Sequence, residues 1–245
     1  MIILQPLCGF NQARYIHVLV ALCDNKNQGI VPVPQKIGNG QDPANNLYWG
    51  CGFGVKTFIK KQSDWKFIKQ INNPTNSIYE RVIFKHKDSL IYLVADAYNG
   101  AKIKQTVTDL LNYASGKDKI EITVDSVKIK AGGGANLICY VGHDGLMDFT
   151  LEAYPSQSDK LKRDIVLLAC ASKNYFYTYI KKSGANPIIW TTNLMCPEAY
   201  TLDAVIDSWI ISDTPDKTRE KAAQTYNQYQ KCGIKGARNL IVTGF

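Results

Sequence analysis

Two stretches decide the reading of this chain: Asn136-Leu137-Ile138-Cys139-Tyr140-Val141-Gly142-His143-Asp144-Gly145 and Ile165-Val166-Leu167-Leu168-Ala169-Cys170. Each is a short, continuous apolar run that stops on a residue able to do chemistry. Apolar runs of this length without polar alternation suit strands that are covered on both faces. Tyr15 to Cys23 (YIHVLVALC) has the same character and reads as the first strand, and Pro187 to Thr192 reads as the last central one. Helix-like segments separate these runs. Over Ala101 to Ser115, Ile103, Val107, Leu110, Leu111 and Ala114 share one helical face, and Gly116 is a natural stop. A second helix is expected over Ser172 to Lys182, closed by Gly184. Strands alternating with helices predict a mostly parallel sheet with helices on both faces. The expected fold is therefore a single α/β domain over residues 1–245, a three-layer sandwich with about six central strands.

The intervening segments complete the outline. Asp24 to Asn46 is a long loop rich in Gly, Pro, Asn and Gln, and loops of this length commonly serve a site. A helix is expected from Leu47 to Lys61, then two β runs, Tyr79 to Lys85 and Ser89 to Ala97, joined by His86-Lys87-Asp88. Ile120 to Lys130 is strand-like and leads into Gly132-Gly133-Gly134. Two helices open at Pro197-Glu198 and at Thr214-Pro215, the second ending near Gly233, and a last strand is expected over Asn239 to Val242.

Composition excludes several function classes. With 45% hydrophobic and 11% aromatic residues among 245, the chain is not disordered. Its longest apolar runs, Ile16 to Cys23 and Ile165 to Ala171, are far shorter than the roughly 20 residues of a membrane-spanning helix, so no membrane partner is expected. The stretch Met1 to Cys8 has no Lys or Arg ahead of its apolar residues and does not read as a secretory signal, which predicts a cytoplasmic location. Seven Cys without a CxxC suggest neither a disulfide framework nor a zinc site, and with only three His a polyhistidine centre is not expected. No metal or organic cofactor is expected. The net charge of +8 comes from scattered Lys, with short clusters at Lys56/Lys60/Lys61 and Lys117/Lys119. This reads as a solvated basic surface rather than a nucleic-acid face.

Common catalytic motifs are absent. There is no GxxxxGK[ST], GxSxG or HExxH, and Gly50-Cys51-Gly52-Phe53-Gly54 does not fit a dinucleotide fingerprint. His17, inside the first strand, reads as a hydrogen-bonded core residue, and His86 as a solvated turn residue. His143 and Cys170 remain. In a parallel α/β sheet, active residues collect beyond the carboxyl ends of the strands, and both residues stand there. They are 27 positions apart, about the length of one strand, a crossover and a second strand. A thiol is only weakly ionised at neutral pH, and a nearby imidazole or helix N-terminus raises the thiolate fraction. His143 then assists proton transfer, and the Gly145 and Cys170 amides are candidate oxyanion donors.

The pair Val141-Gly142-His143-Asp144-Gly145 and Leu167-Leu168-Ala169-Cys170 resembles the signature of the caspase-like (clan CD) cysteine peptidases: an apolar strand ending in His-Gly, then one ending in Ala-Cys. The resemblance, to a bacterial-type member, spans Tyr15 to Thr192. One departure is that Asp144 separates the His from its Gly. The resemblance implies a caspase-hemoglobinase-like fold, Cys170 and His143 as the catalytic dyad, and a protein or peptide substrate. It also implies that Asp24 lies beside the pocket for the residue before the scissile bond, where a carboxylate favours Lys or Arg. Asp144, Thr191 and Thr192 are then further candidates for substrate binding. Read from residue type alone, Asp24 is a turn former beside Asn25, and Asp144 and Asp148 are solvated loop acids. Regulated defence or cell-death-like pathways, with a nucleotide or partner as activator, are consistent with the resemblance. The alternative function is a catalytically silent caspase-like fold that binds a small anionic ligand such as a nucleotide, or a protein partner.

Overall fold

In the computed structural model, which describes residues 12–153 and 155–245, ten strands and six helices follow one another. The apolar stretch Met1 to Cys8 lies outside the described residues. The strands are β1 (Arg14–Ala21), β2 (Trp65–Thr75), β3 (Ile78–His86), β4 (Ile91–Tyr98), β5 (Lys119–Val124), β6 (Val127–Gly132), β7 (Leu137–Val141), β8 (Asp164–Leu168), β9 (Asn186–Thr191) and β10 (Ile241–Val242). The helices are α1 (Val55–Lys61), α2 (Ile103–Ala114), α3 (Ser172–Ser183), α4 (Ala199–Ile210), α5 (Pro215–Gln230) and α6 (Ile234–Leu240).

Eight strands form one mixed sheet in the order β10-β9-β8-β7-β1-β4-β3-β2. The run from β9 to β4 is parallel, while β10, β3 and β2 add antiparallel pairings at the two edges. The sheet is therefore wider than the six strands expected. The main strand missed is β2. Its sequence, WKFIKQINNPT, is largely polar and its side chains are mostly solvated, as an edge strand permits. The polar segment read as one strand over Ile120 to Lys130 is a hairpin, β5–β6, separate from the sheet. Its turn residues Asp125 and Ser126 both have positive φ (46° and 69°), the twist that suits a two-residue hairpin. Of the helix expected over Leu47 to Lys61, only α1 forms. The preceding glycines, each poor in a helix, sit in turns.

Strand alternation sorts the core into two faces. Val18, Val20, Cys139, Val141, Val166 and Leu168 pack with Ile59 of α1, Val205 of α4 and Ala222 of α5. Leu19, Ala21, Ile138, Tyr140, Ile165 and Leu167 pack with Val107 and Leu110 of α2 and Phe176 of α3. The hairpin covers Ile83, Tyr92 and Val94 on the second face. All five residues of β7 are buried, which explains why that strand carries no polar alternation. The apolar face expected on α2 is buried, and Gly116 follows the helix with φ +86°.

One polar network lies inside the second face. Asp96 on β4 accepts two hydrogen bonds of 2.7 Å from Arg81 on β3 and one of 3.0 Å from His17 Nε2 on β1. His17 Nδ1 accepts the Gly132 amide at 2.9 Å, tying the hairpin to the sheet. His17 is thus a hydrogen-bonded core residue. Among the described residues no helix is long and apolar enough to cross a membrane.

Candidate active site

The geometry of the site starts from one register. β7 pairs in parallel with β8, matching Leu137 with Asp164 and Val141 with Leu168, an offset of 27 residues (164 − 137). His143 and Cys170 have the same offset (170 − 143). Each stands two residues past the last matched residue of its strand, and neighbouring strands run about 4.8 Å apart. The Gly142 amide donates to the Leu168 carbonyl at 3.2 Å, extending the pairing beyond the last matched residues. Both residues therefore leave the carboxyl edge of the parallel sheet at neighbouring positions.

Cys170 sits on a sharp strand-to-helix turn. Ala171, the next residue, is left-handed with φ 47°, and α3 starts at Ser172. The turn is braced from below by β9. Thr191 Oγ1 donates to the Ala169 carbonyl and accepts the Ser172 amide at 3.2 Å. Ser172 Oγ accepts the Thr191 amide at 3.0 Å and donates to the Leu167 carbonyl at 2.9 Å. The Ala171 amide donates to Asn193. Thr191 was a candidate for lining the cleft, but its hydroxyl is buried and bound to the turn beneath Cys170. Thr192 is exposed, and its hydroxyl donates to the Asn239 carbonyl at 2.7 Å, anchoring the C-terminal segment.

The Cys170 sulfur is half-buried and meets backbone from the segment after β9. It accepts the Met195 amide at 3.4 Å and donates to the Met195 carbonyl at 3.6 Å. Burial raises the thiol pKa, the Met195 amide opposes this, and the charge of nearby Asp144 adds to the rise. Tyr48 from the segment before α1, Cys196 and Tyr226 of α5 are close enough to interact electrostatically with Cys170.

His143 follows Gly142, whose φ of +149° favours glycine; a Cβ there would stand 2.8 Å from the Ala21 carbonyl oxygen. The His143 carbonyl accepts the Tyr140 hydroxyl at 2.6 Å, which fixes the backbone. The imidazole is nearly enclosed, at 5% exposure. Its Nε2 lies 2.8 Å from Asp148 Oδ2, while Nδ1 has no hydrogen-bond partner among the described residues. Asp148 returns to the ring through the single turn Gly145–Met147, with its amide donating to the Gly145 carbonyl at 3.0 Å. The same Oδ2 accepts the Gly29 amide at 2.9 Å, so the long loop also reaches this carboxylate.

The remaining candidates fall into separate environments. Asp144 is buried, with Oδ1 accepting the Leu146 amide at 3.0 Å and Oδ2 without a donor. Burial pushes its carboxyl up to about 7. Asp24, at 1% exposure, accepts the amides of Lys26 and Asn27 and the side-chain amides of Asn27 and Gln41. Its carboxylate thus organises its own loop, as its residue type suggested. The Gly145 and Cys170 amides donate to no acceptor among the described residues, and Gly145 is buried against Phe149 and Ile103. Among the described residues no group of three or more His, Cys, Asp or Glu could hold a metal ion.

Of the two residues read as solvated loop acids, Asp144 is instead buried and Asp148 pairs with His143, a role the sequence reading did not give it; the Met195 amide was missed altogether. Asp148 had a local signal: Asp144 caps the turn Gly145–Met147, and one short turn returns the chain beside His143. The Met195 amide had none, because a backbone group carries no residue-type signature. No family model matches the chain, and neither a curated protein nor a solved structure matches it.

Proposed function

We propose that the protein is a cysteine peptidase with a caspase-like fold, acting through Cys170 and His143. The observation that carries this reading is the shared 27-residue offset of the β7–β8 register and the His–Cys pair. In the proposed reaction His143 takes the Cys170 thiol proton, and the sulfur attacks the peptide carbonyl carbon as the C=O π pair moves onto oxygen. The oxyanion that forms accepts hydrogen bonds from the Cys170 and Gly145 amides. His143 gives a proton to the leaving amine, and the carbon–nitrogen bond breaks to leave a thioester. His143 then takes a proton from water, which attacks the thioester carbon; the carbon–sulfur bond breaks and His143 returns the proton to sulfur, releasing the acid and the free thiol.

Asp24 is occupied by its loop, and Asp144, although one of its oxygens has no donor, is fully buried, so neither carboxylate is open to a substrate side chain. A panel of peptide acyloxymethyl ketones with Lys, Arg, Asp or Leu beside the electrophile tests activity and preference together. The expected result is covalent labelling of Cys170, with the rate reduced at least tenfold in His143→Ala. If the whole panel fails to distinguish wild type from Cys170→Ala, the peptidase reading fails and the silent binding module takes its place.

A further inference from the structure

We infer that Asp148 is a positioning residue for His143, and that the Asp24 to Asn46 loop holds it in place through the Gly29 amide. The inference rests on the peptidase reading for its role in turnover, but not for its geometry. A carboxylate only accepts hydrogen bonds, so the 2.8 Å contact makes His143 Nε2 the donor. In the neutral ring the lone pair then lies on Nδ1, the nitrogen without a partner in the protein. Asp148 thus selects the tautomer in which the free nitrogen can accept a proton. The Tyr140 hydroxyl fixes the backbone of the same residue, so backbone and ring are held independently.

Asp148 is itself held from two sides. Its own turn brings it back to the ring, and the Gly29 amide donates to the oxygen that His143 uses. The fit at Gly29 is close: a Cβ there would lie 2.3 Å from Asp148 Oδ1. An alanine at this position must move the carboxylate or the loop. The loop remote in sequence from the dyad therefore controls the orientation of the imidazole.

The test uses the full chain and the variants Asp148→Asn, Asp148→Ala and Gly29→Ala. Long-range proton–nitrogen NMR resolves the ring tautomers. With three His in the chain, His143→Ala assigns the signal. Wild type is expected to show His143 protonated at Nε2. Asp148→Asn is expected to shift it toward the Nδ1-protonated form, because an amide can donate to Nε2. Gly29→Ala, which leaves Asp148 itself intact, is expected to give a mixture. The second readout is alkylation of Cys170 by iodoacetamide at pH 7, expected to slow at least tenfold in Asp148→Asn and less in Gly29→Ala. An unchanged tautomer and an unchanged alkylation rate in Asp148→Asn overturn the inference. If that variant does not fold, the same two results in Gly29→Ala decide. Both readouts are independent of peptide cleavage. A wild type that cleaves nothing yet shows these shifts defeats the peptidase reading alone, and a cleaving enzyme without the shifts defeats this inference alone.

Discussion

Asp144 follows His143 directly, and its surroundings give it a titration that can be measured. Burial without a second donor raises its carboxyl from 3.8 to about 7, so the folded protein holds this proton more tightly than the unfolded chain. The folded state then binds more protons than the unfolded state between these values, and stability falls as pH rises from about 4 to about 7. Asp203 on α4, also raised to about 7 by burial, contributes a slope of the same sign. The difference between Asp144→Asn and wild type isolates Asp144. The variant is expected to lose part of the decline and to gain a few degrees in Tm at pH 8, measured by thermal unfolding across pH 4–8. Because the charge of Asp144 adds to the rise in the Cys170 thiol pKa, the same variant is expected to be alkylated faster at pH 8. A slower rate would count against this account.

At the level of elements, the turn between β8 and α3 is the part on which the position of the Cys170 thiol depends. Ala171 is a non-glycine residue in a left-handed conformation, which carries a backbone cost of roughly 1–2 kcal/mol. The Thr191–Ser172 hydroxyl pair and the bond from Thr191 to the Ala169 carbonyl hold the turn against that cost. Thr191→Val keeps the shape and removes the hydroxyl, leaving buried partners unsatisfied. A loss of about 1–3 kcal/mol is expected from urea unfolding, together with slower Cys170 alkylation from a displaced sulfur. Equal alkylation rates in variant and wild type would separate the brace from the reactivity of the thiol. The apolar strand, the thiol at its end and the helix after it were legible because each is encoded within a few residues. The brace was not, since Thr191 lies 20 residues further along (191 − 171) and reaches the turn only because β9 pairs beside β8.

Across the whole molecule, the Arg81–Asp96–His17 network joins β3, β4 and β1 and, through Gly132, the β5–β6 hairpin. Burial works to raise the Asp96 carboxyl, but the hydrogen bonds from Arg81 and His17 outweigh it and leave it below 3.8. The sign is opposite to that of Asp144: this stability is present above the unfolded value and lost as pH falls through the lower folded value. Asp96→Asn leaves Arg81 buried without its counter-charge. A loss of about 3–5 kcal/mol is expected, with a shallower acid limb, both read from denaturant unfolding at pH 3–7. A variant as stable as wild type would show that the network is dispensable.

Local pattern determined where strands and helices fall, because side-chain periodicity reflects which faces are buried. It also set His143 and Cys170 at strand ends, because an apolar run stops where the chain leaves the core. The width of the sheet was decided in three dimensions, since edge strand β2 is mostly solvated and has no buried-strand pattern. Tertiary structure alone made β7 and β8 neighbours, so that His143 and Cys170 follow adjacent strands. It also gave His143 the Asp148 carboxylate, brought the Met195 amide to the sulfur, and enclosed the Asp24 carboxylate within its loop. These are contacts between segments far apart in the chain. They depend on strand order, register and loop closure, which no short window of sequence contains.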